Sequence, residues 1–325
     1  MRERYLLGLT AVPFVVAALM PGALLPGDQV TRFQDPAIIE SSGLVVVDGS
    51  LVTTNDSGDS GRLFTVDQQT GETTRVTHWS DDPVDVEALA PAGDGAVWVG
   101  DIGDNRADRD SVSVTRVDVV GDDTDRPTYD LVYPEGARDA ESLLADPATG
   151  RLYVVSKGVF GGTLYAAPQR LVANKPNHLR EVGAMLPVAT DASFFPDGRH
   201  VIVRNYTEAA VYTWPDLDEI GRFGLPHQMQ GEGIAVAEDG TIYASSEGLR
   251  SPVLTISLPV QVRRAMAPPT PSPTPTASPT PTTHNRVGKE LPEQPPEDRS
   301  AWGWALGGVI GLGIVLVLVR AMRPR

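Results

Sequence analysis

With 325 residues, a formal charge of −15 and no cysteine, the chain is a poor partner for nucleic acid, whose polyanion needs the opposite field. It has no thiol for a disulfide or for bacterial lipoprotein processing, so a buried core must carry its stability. The five histidines are scattered and offer zinc no ligand cluster of recognisable spacing.

In chain order, Met1-Arg2-Glu3-Arg4 precede an apolar run from Tyr5 to Met20. A positive start followed by an apolar core is the layout of a secretory signal. Residues 1–27 are therefore expected to be a signal peptide or an N-terminal anchor, with the globular region over 28–265.

Within that region a single phrase recurs five times: a small residue, a large apolar one, a short strand, a turn that is usually Asp-Gly, and a second strand. The copies begin at Gly43-Leu44, Ala88-Leu89, Ser142-Leu143, Ser193-Phe194 and Gly233-Ile234. Their turns fall at Asp48-Gly49, Asp94-Gly95, Thr149-Gly150, Asp197-Gly198 and Asp239-Gly240. Intervals of roughly forty to fifty residues are those of propeller blades. The second strands are rich in β-branched and aromatic residues, a third strand follows in each copy, and fourth strands are expected near 73–77, 128–132 and 179–183. The last copy lacks a long fourth strand, and Val30-Thr31-Arg32-Phe33 stands spare before the first; pairing the two would close the ring and remove its exposed edges. The expected fold is all-β, a single β-propeller of five four-stranded blades. Six blades are the alternative, because Val119 to Pro134 is long enough to conceal a divergent element.

Propellers bring their innermost strands to a central channel, so equivalent positions form rings. Two residues before the apolar anchors stand Ser42, Glu87, Glu141, Ala192 and Glu232, and four before stand Glu40, Asp85, Asp139, Thr190 and Gln230. Carboxylates crowded this way raise one another's pKa unless a cation compensates. The ends of the second strands add Asn55-Asp56, Gly100-Asp101, Ser156-Lys157, Arg204-Asn205 and Ser246-Glu247. Mixed charges of this kind are either a substrate site with cation and anion subsites or salt bridges fastening neighbouring blades. Glu87, Glu141, Glu232, Lys157 and Arg204 are the candidate catalytic residues of the first reading.

Two loops, Asn55 to Gly61 and Asp101 to Asp108, mix carboxylates with glycine, as calcium loops do; the same residues also build Asx turns. Calcium is the expected ion, with Asp56, Asp59, Asp101, Asp104, Glu87, Glu141 and Glu232 as candidate ligands. Gly58-Asp59-Ser60-Gly61 is similar to the nucleophile sequence of trypsin-like proteases, but no histidine precedes it to act as that family's base. The sequence contains no Gly-x-Ser-x-Gly elbow, no His-Glu-x-x-His helix and no phosphate-binding Gly-Lys-Ser/Thr loop.

The run Glu40-Ser41-Ser42-Gly43-Leu44, Asn55-Asp56-Ser57-Gly58-Asp59, Asp85-Val86-Glu87-Ala88-Leu89 and Gly100-Asp101-Ile102-Gly103-Asp104-Asn105 resembles a family of exported bacterial β-propeller proteins with no assigned activity. Asp139-Ala140-Glu141-Ser142-Leu143 and Gln230-Gly231-Glu232-Gly233-Ile234 extend that resemblance. The phrase Glu232 to Ala235 is more distantly similar to calcium-dependent phosphatases of the phytase type and to gluconolactonase-like propellers. That likeness implies calcium held by channel-mouth carboxylates, and for the phosphatases Lys and Arg on phosphate. Here it points to Glu87, Glu141 and Glu232 for calcium, and to Lys157 and Arg204 for an anion.

Beyond the propeller, Pro alternates with Thr and Ser from Pro268 to Thr283, so 266–300 is expected to be an extended extracytoplasmic linker. Ala301 to Val319 is uncharged and would span about 28 Å as a helix, enough for a bilayer core. Trp302 and Trp304 at its start and Arg320, Arg323 and Arg325 after it predict a single-pass helix over 301–319, with residues 320–325 in the cytoplasm and the propeller outside. Gly303, Gly307 and Gly311 form a small-xxx-small series through which two copies could pair. The expected function is a surface-displayed propeller that binds a ligand or envelope partner, with a calcium-dependent hydrolase of phosphoesters or lactones as the alternative.

Overall fold

The computed structural model describes residues 27–267 except 57, 81 and 122–126. The expected signal, most of the linker, the transmembrane helix, its glycine series and the basic tail lie outside the described residues. Among the described residues no helix is long and apolar enough to cross a membrane.

The chain begins with β1 (Gly27–Arg32) and then lays down one blade after another. Blade I is β2 (Ser41–Val47), β3 (Ser50–Asn55), β4 (Gly61–Asp67) and β5 (Thr73–Ser80). Blade II is β6 (Val86–Gly93), β7 (Ala96–Asp101), β8 (Val112–Asp118) and β9 (Thr128–Val132). Blade III is built from β10 (Ala140–Ala145), β11 (Leu152–Ser156) and β12 (Gly162–Ala166); the chain then leaves it as β13 (Asn177–His178) and returns as its outer strand, β14 (Arg180–Met185). Blade IV is β15 (Asp191–Phe194), β16 (His200–Arg204), β17 (Glu208–Thr213) and β18 (Glu219–Gly224). Blade V is β19 (Ile234–Val236), β20 (Ile242–Ala244) and β21 (Pro252–Ile256), completed by β1.

The five-bladed reading is thus borne out, and no sixth sheet exists among the described residues. Among the described residues of Val119 to Pro134, β9 of blade II is the strand that appears. One feature differs from expectation. Asn177-His178 pairs in parallel with Leu131-Val132 of blade II before blade III resumes. The Asn177 side chain fixes this detour, accepting the Val172 N–H at 2.8 Å and donating to the Asp130 carbonyl at 3.0 Å.

Local chemistry explains the regular parts. Asp48-Gly49 and Asp94-Gly95 both hold positive φ at the two turn residues, the I′ geometry whose twist suits a tight hairpin. The strand faces then pack blade on blade, giving five apolar cores, one at each junction. The closing junction joins Phe33, Leu44 and Phe64 to Ala235, Tyr243 and Val253. A short helix, α1 (Val260–Met266), follows blade V and buries Val262 against Gly221 of β18.

Blades I and II approach so closely at the axis that only glycine fits at position 43. Gly43 has φ +66°, and a Cβ there would meet the Leu89 nitrogen at 2.7 Å. Replacing it adds backbone strain to a clash that rigid backbone cannot relieve. Gly43→Ala should lower unfolding free energy by at least about 2 kcal/mol in a denaturant titration; a change within about 0.5 kcal/mol would contradict this packing.

Candidate functional site

The acidic residues reach the channel because of how the inner strands begin. Register shifts between Val86 and Ala88 and between Ala140 and Ser142 make Glu87 and Glu141 the extra residues of β-bulges, which re-aim a side chain out of the ladder. Glu232 sits just before β19, its N–H bonded to the Ser245 carbonyl. All three glutamates are 4–6 % exposed, so the structure brings the three repeat-derived carboxylates into one buried group.

Around them the mouth is asymmetric. On one side Asp56, Asp85 and Glu87 have carboxylate oxygens within 4.8 Å of one another, and Ser42 Oγ donates to the Glu87 carbonyl at 2.8 Å. On the other, Lys157 pairs with Glu141 Oε1 and lies 5.4 Å from the centre of the Tyr206 ring; Tyr206 also hydrogen-bonds Glu232. The second carboxylate oxygen of Glu141, Oε2, is buried without a hydrogen-bond partner among the described residues.

Burial dominates the proton affinities. It lifts Asp85 to about 6, with the Asp56 and Asp139 charges adding to it and Arg109 opposing. Glu247 rises to about 7 through burial and then the charges of Glu232, Asp56 and Glu40. Glu87 is pushed well above the carboxylate range by burial and then by Glu141. Burial opposes charge on Lys157, but Glu141 outweighs it and holds the ammonium protonated.

Arg204 has a different place from the one its repeat position suggests. It is fully buried, and its Nη1 donates to the Gly233 carbonyl at 3.0 Å and the Ser245 carbonyl at 3.2 Å, both of blade V. Burial brings its pKa down to about 10, so it stays charged at neutral pH. Its register partner across the ladder is Asp191, which sequence alignment did not single out. Asp191 is 0 % exposed; its oxygens accept the N–H of Ala192 at 2.8 Å and of Ile234 at 2.7 Å, and the Leu44 N–H as well.

Three of the loop carboxylates hold loop backbone and arginine side chains. Asp59 accepts from Asn55 Nδ2 at 2.7 Å and Arg62 Nε at 2.8 Å. Asp101 accepts the Val84 and Asp85 N–H groups and pairs with Arg109 at 2.9 Å. Asp104 caps Asp108 and Arg109 at 3.0 Å each. Of the loop candidates only Asp56 joins the mouth, and Asp85, Asp139, Glu247 and Tyr206 stand there beside it.

No protein-family model matches this sequence, and no curated protein matches it significantly. Among solved structures it is similar to a chain of the nidogen/laminin complex, at 14 % identity and TM-score 0.42 over 64 % of this chain and 73 % of that one. A glucose dehydrogenase is similar at 11 % identity and TM-score 0.44, over 72 % of this chain and all of that one. The gluconolactonase XC5397 of Xanthomonas campestris is similar at 15 % identity and TM-score 0.43, over 74 % and 90 % respectively. At these values the likenesses carry no argument about activity.

Two outcomes follow. Asp191→Asn turns one acceptor oxygen into a donor facing backbone N–H groups, and should cost about 1–3 kcal/mol in a denaturant titration; an unchanged midpoint would remove Asp191 from its bridging role. The second concerns pH. Asp85 and Glu247 bind protons more tightly folded than unfolded, their pKa values lying at about 6 and about 7 against ordinary values near about 4. In that window the folded state holds the extra protons, so stability falls as pH rises. In chelator, the melting temperature should be higher at pH 5 than at pH 7.5; the reverse order would show that these carboxylates are not buried together.

Proposed function

We propose that this protein is a ligand-binding propeller of the cell envelope, with its recognition site at the acidic channel mouth and calcium held by Asp56, Asp85 and Glu87. The observation that carries the reading is the approach of those three carboxylates to within 4.8 Å; across the mouth, Oε2 of Glu141 is buried without a hydrogen-bond partner among the described residues. Carboxylates so placed repel, and a hard dication both neutralises them and uses their oxygens as ligands. Display outside the cell, through a helix over 301–319, is the element of the proposal that rests on the sequence alone.

Binding is favoured over hydrolysis by the use already made of the two mouth cations. A phosphate-clamping site needs donors aimed at the substrate, whereas Arg204 is fully buried and commits Nε and Nη1 to four acceptors inside the protein, Nη2 alone lacking a partner among the described residues, and Lys157 is paired with Glu141. A cation in the mouth would then serve as a bridge to oxygen-bearing ligands rather than as the Lewis acid of a reaction.

Thermal melting of the full chain in calcium and in chelator tests the proposal. At calcium about 100-fold above Kd, the linkage gain of about 2.7 kcal/mol corresponds to a rise of roughly 5–10 °C. Glu87→Gln and Asp56→Asn should lose that rise while melting in chelator no lower than the wild type, because each relieves repulsion. Identical curves with and without calcium would sink the cation site. Turnover of a phosphoester or lactone at enzyme-like rates, abolished in Glu141→Ala, would replace binding by hydrolysis.

A further inference from the structure

The channel has a second end. There the inner strands run into their hairpin turns, and the axis widens into a cavity of about 520 Å³ walled by Trp98, Leu143, Leu144, Phe194, Phe195 and Val236. Its volume lies within the range of small-molecule sites, about 300–1,000 Å³. Trp98, Phe194 and Val236 are only half-buried although each belongs to a strand, because the cavity leaves some of their apolar surface uncovered. Asp191 opens β15 and Phe194 ends it, so the Asp191 hydrogen bonds stand between this cavity and the acidic mouth.

Three polar side chains of the wall already hold backbone groups. Ser193 Oγ accepts the Val236 N–H at 3.1 Å. Asp146 Oδ1 caps Ala148 and Thr149, and Arg116 Nη2 donates to the Gly93 carbonyl at 3.3 Å. An anionic occupant would lose its hydration and meet the Asp146 and Glu238 carboxylates as well as the Arg116 guanidinium, so the wall offers it no net counter-charge. Glu238 lines the wall, and Asp48, Asp94 and Asp239 lie exposed in the hairpin turns that follow the inner strands, carboxylates that disfavour an anion such as a fatty acid. What remains favourable is apolar area against apolar area, with the Trp98, Phe194 and Phe195 rings offering faces and edges to another ring.

We propose that this cavity is a binding site for one uncharged, apolar, ring-bearing small molecule, separate from the acidic mouth. The two ends of the channel then take ligands of opposite character, an ion-bridged polar group at one and a hydrocarbon ring at the other.

The test is a fluorescence titration of the full chain with N-phenyl-1-naphthylamine, an uncharged apolar probe. Saturable enhancement at one probe per chain is expected, displaced by 2-naphthol and at least tenfold less effectively by the anionic 2-naphthoate. Ala145→Phe and Ala92→Phe each add a ring to the cavity wall and should weaken the probe at least tenfold while retaining cooperative melting. The titration should be the same in calcium and in chelator, so that loss of the cation proposal leaves this one standing. Absent or non-saturable enhancement in the wild type, equal displacement by naphthol and naphthoate, or full affinity in a folded filled variant would each overturn it.

Discussion

A carboxylate on the propeller axis organises much of what surrounds it. Inner strands meet an axial channel with one edge unpaired, and those backbone groups need partners if water is to be kept out. Asp191 of blade IV supplies acceptors to Ile234 of blade V and Leu44 of blade I. Its ladder neighbour Arg204 supplies donors to the carbonyls of Gly233 and Ser245. The acid takes the N–H groups and the base takes the C=O groups of the same neighbouring blade. Burying a carboxyl group beside a guanidinium is costly: burial raises the proton affinity of Asp191 while its backbone hydrogen bonds and Arg204 oppose the rise, and Arg204 Nη2 is buried without a hydrogen-bond partner among the described residues.

That division of labour explains the chemistry of the mouth. With Arg204 committed to backbone, Lys157 to Glu141 and Arg109 to Asp101, Asp85 and Glu87 take their raised proton affinity from burial and from neighbouring carboxylates. The acidic surplus is therefore local and geometric, created by two bulges that aim Glu87 and Glu141 inward, and it owes little to the overall charge of the chain.

The blades, their turns and the closing strand were legible because each rests on a short-range signal: Asp-Gly for the hairpin, alternating β-branched residues for the strand. Convergence of Glu87, Glu141 and Glu232 was legible too, since alignment of repeats is a statement about space in a ring. Alignment failed where register changed. Blade IV lacks the bulge found in blades II and III, so its axial residue is Asp191, one position before the Ala192 that the alignment selected. Arg204 carries two readings in sequence, an anion subsite or a charge that fastens neighbouring blades, and its bonds to Gly233 and Ser245 are contacts between blades. Asp59, Asp101 and Asp104 carry two readings in sequence because the residues that tie loops together are the same ones that bind calcium. The β13 detour had no sequence signal beyond one asparagine.

The pairing of β1 with β21 has a bearing on how the protein comes into being. The first strand among the described residues, Gly27–Arg32, pairs with Pro252–Ile256, so nearly the whole domain must exist before the ring can shut. Blades I to IV can collapse as they appear, but blade V waits for a contact between opposite ends of the folding unit. Contacts so far apart in sequence carry a large loop-closure entropy and slow folding. Until they form, β21 presents an open edge. A chain stalled shortly before residue 256 would thus be an incomplete ring with an adhesive end, and the time spent in that state sets its exposure to proteases and to other nascent copies.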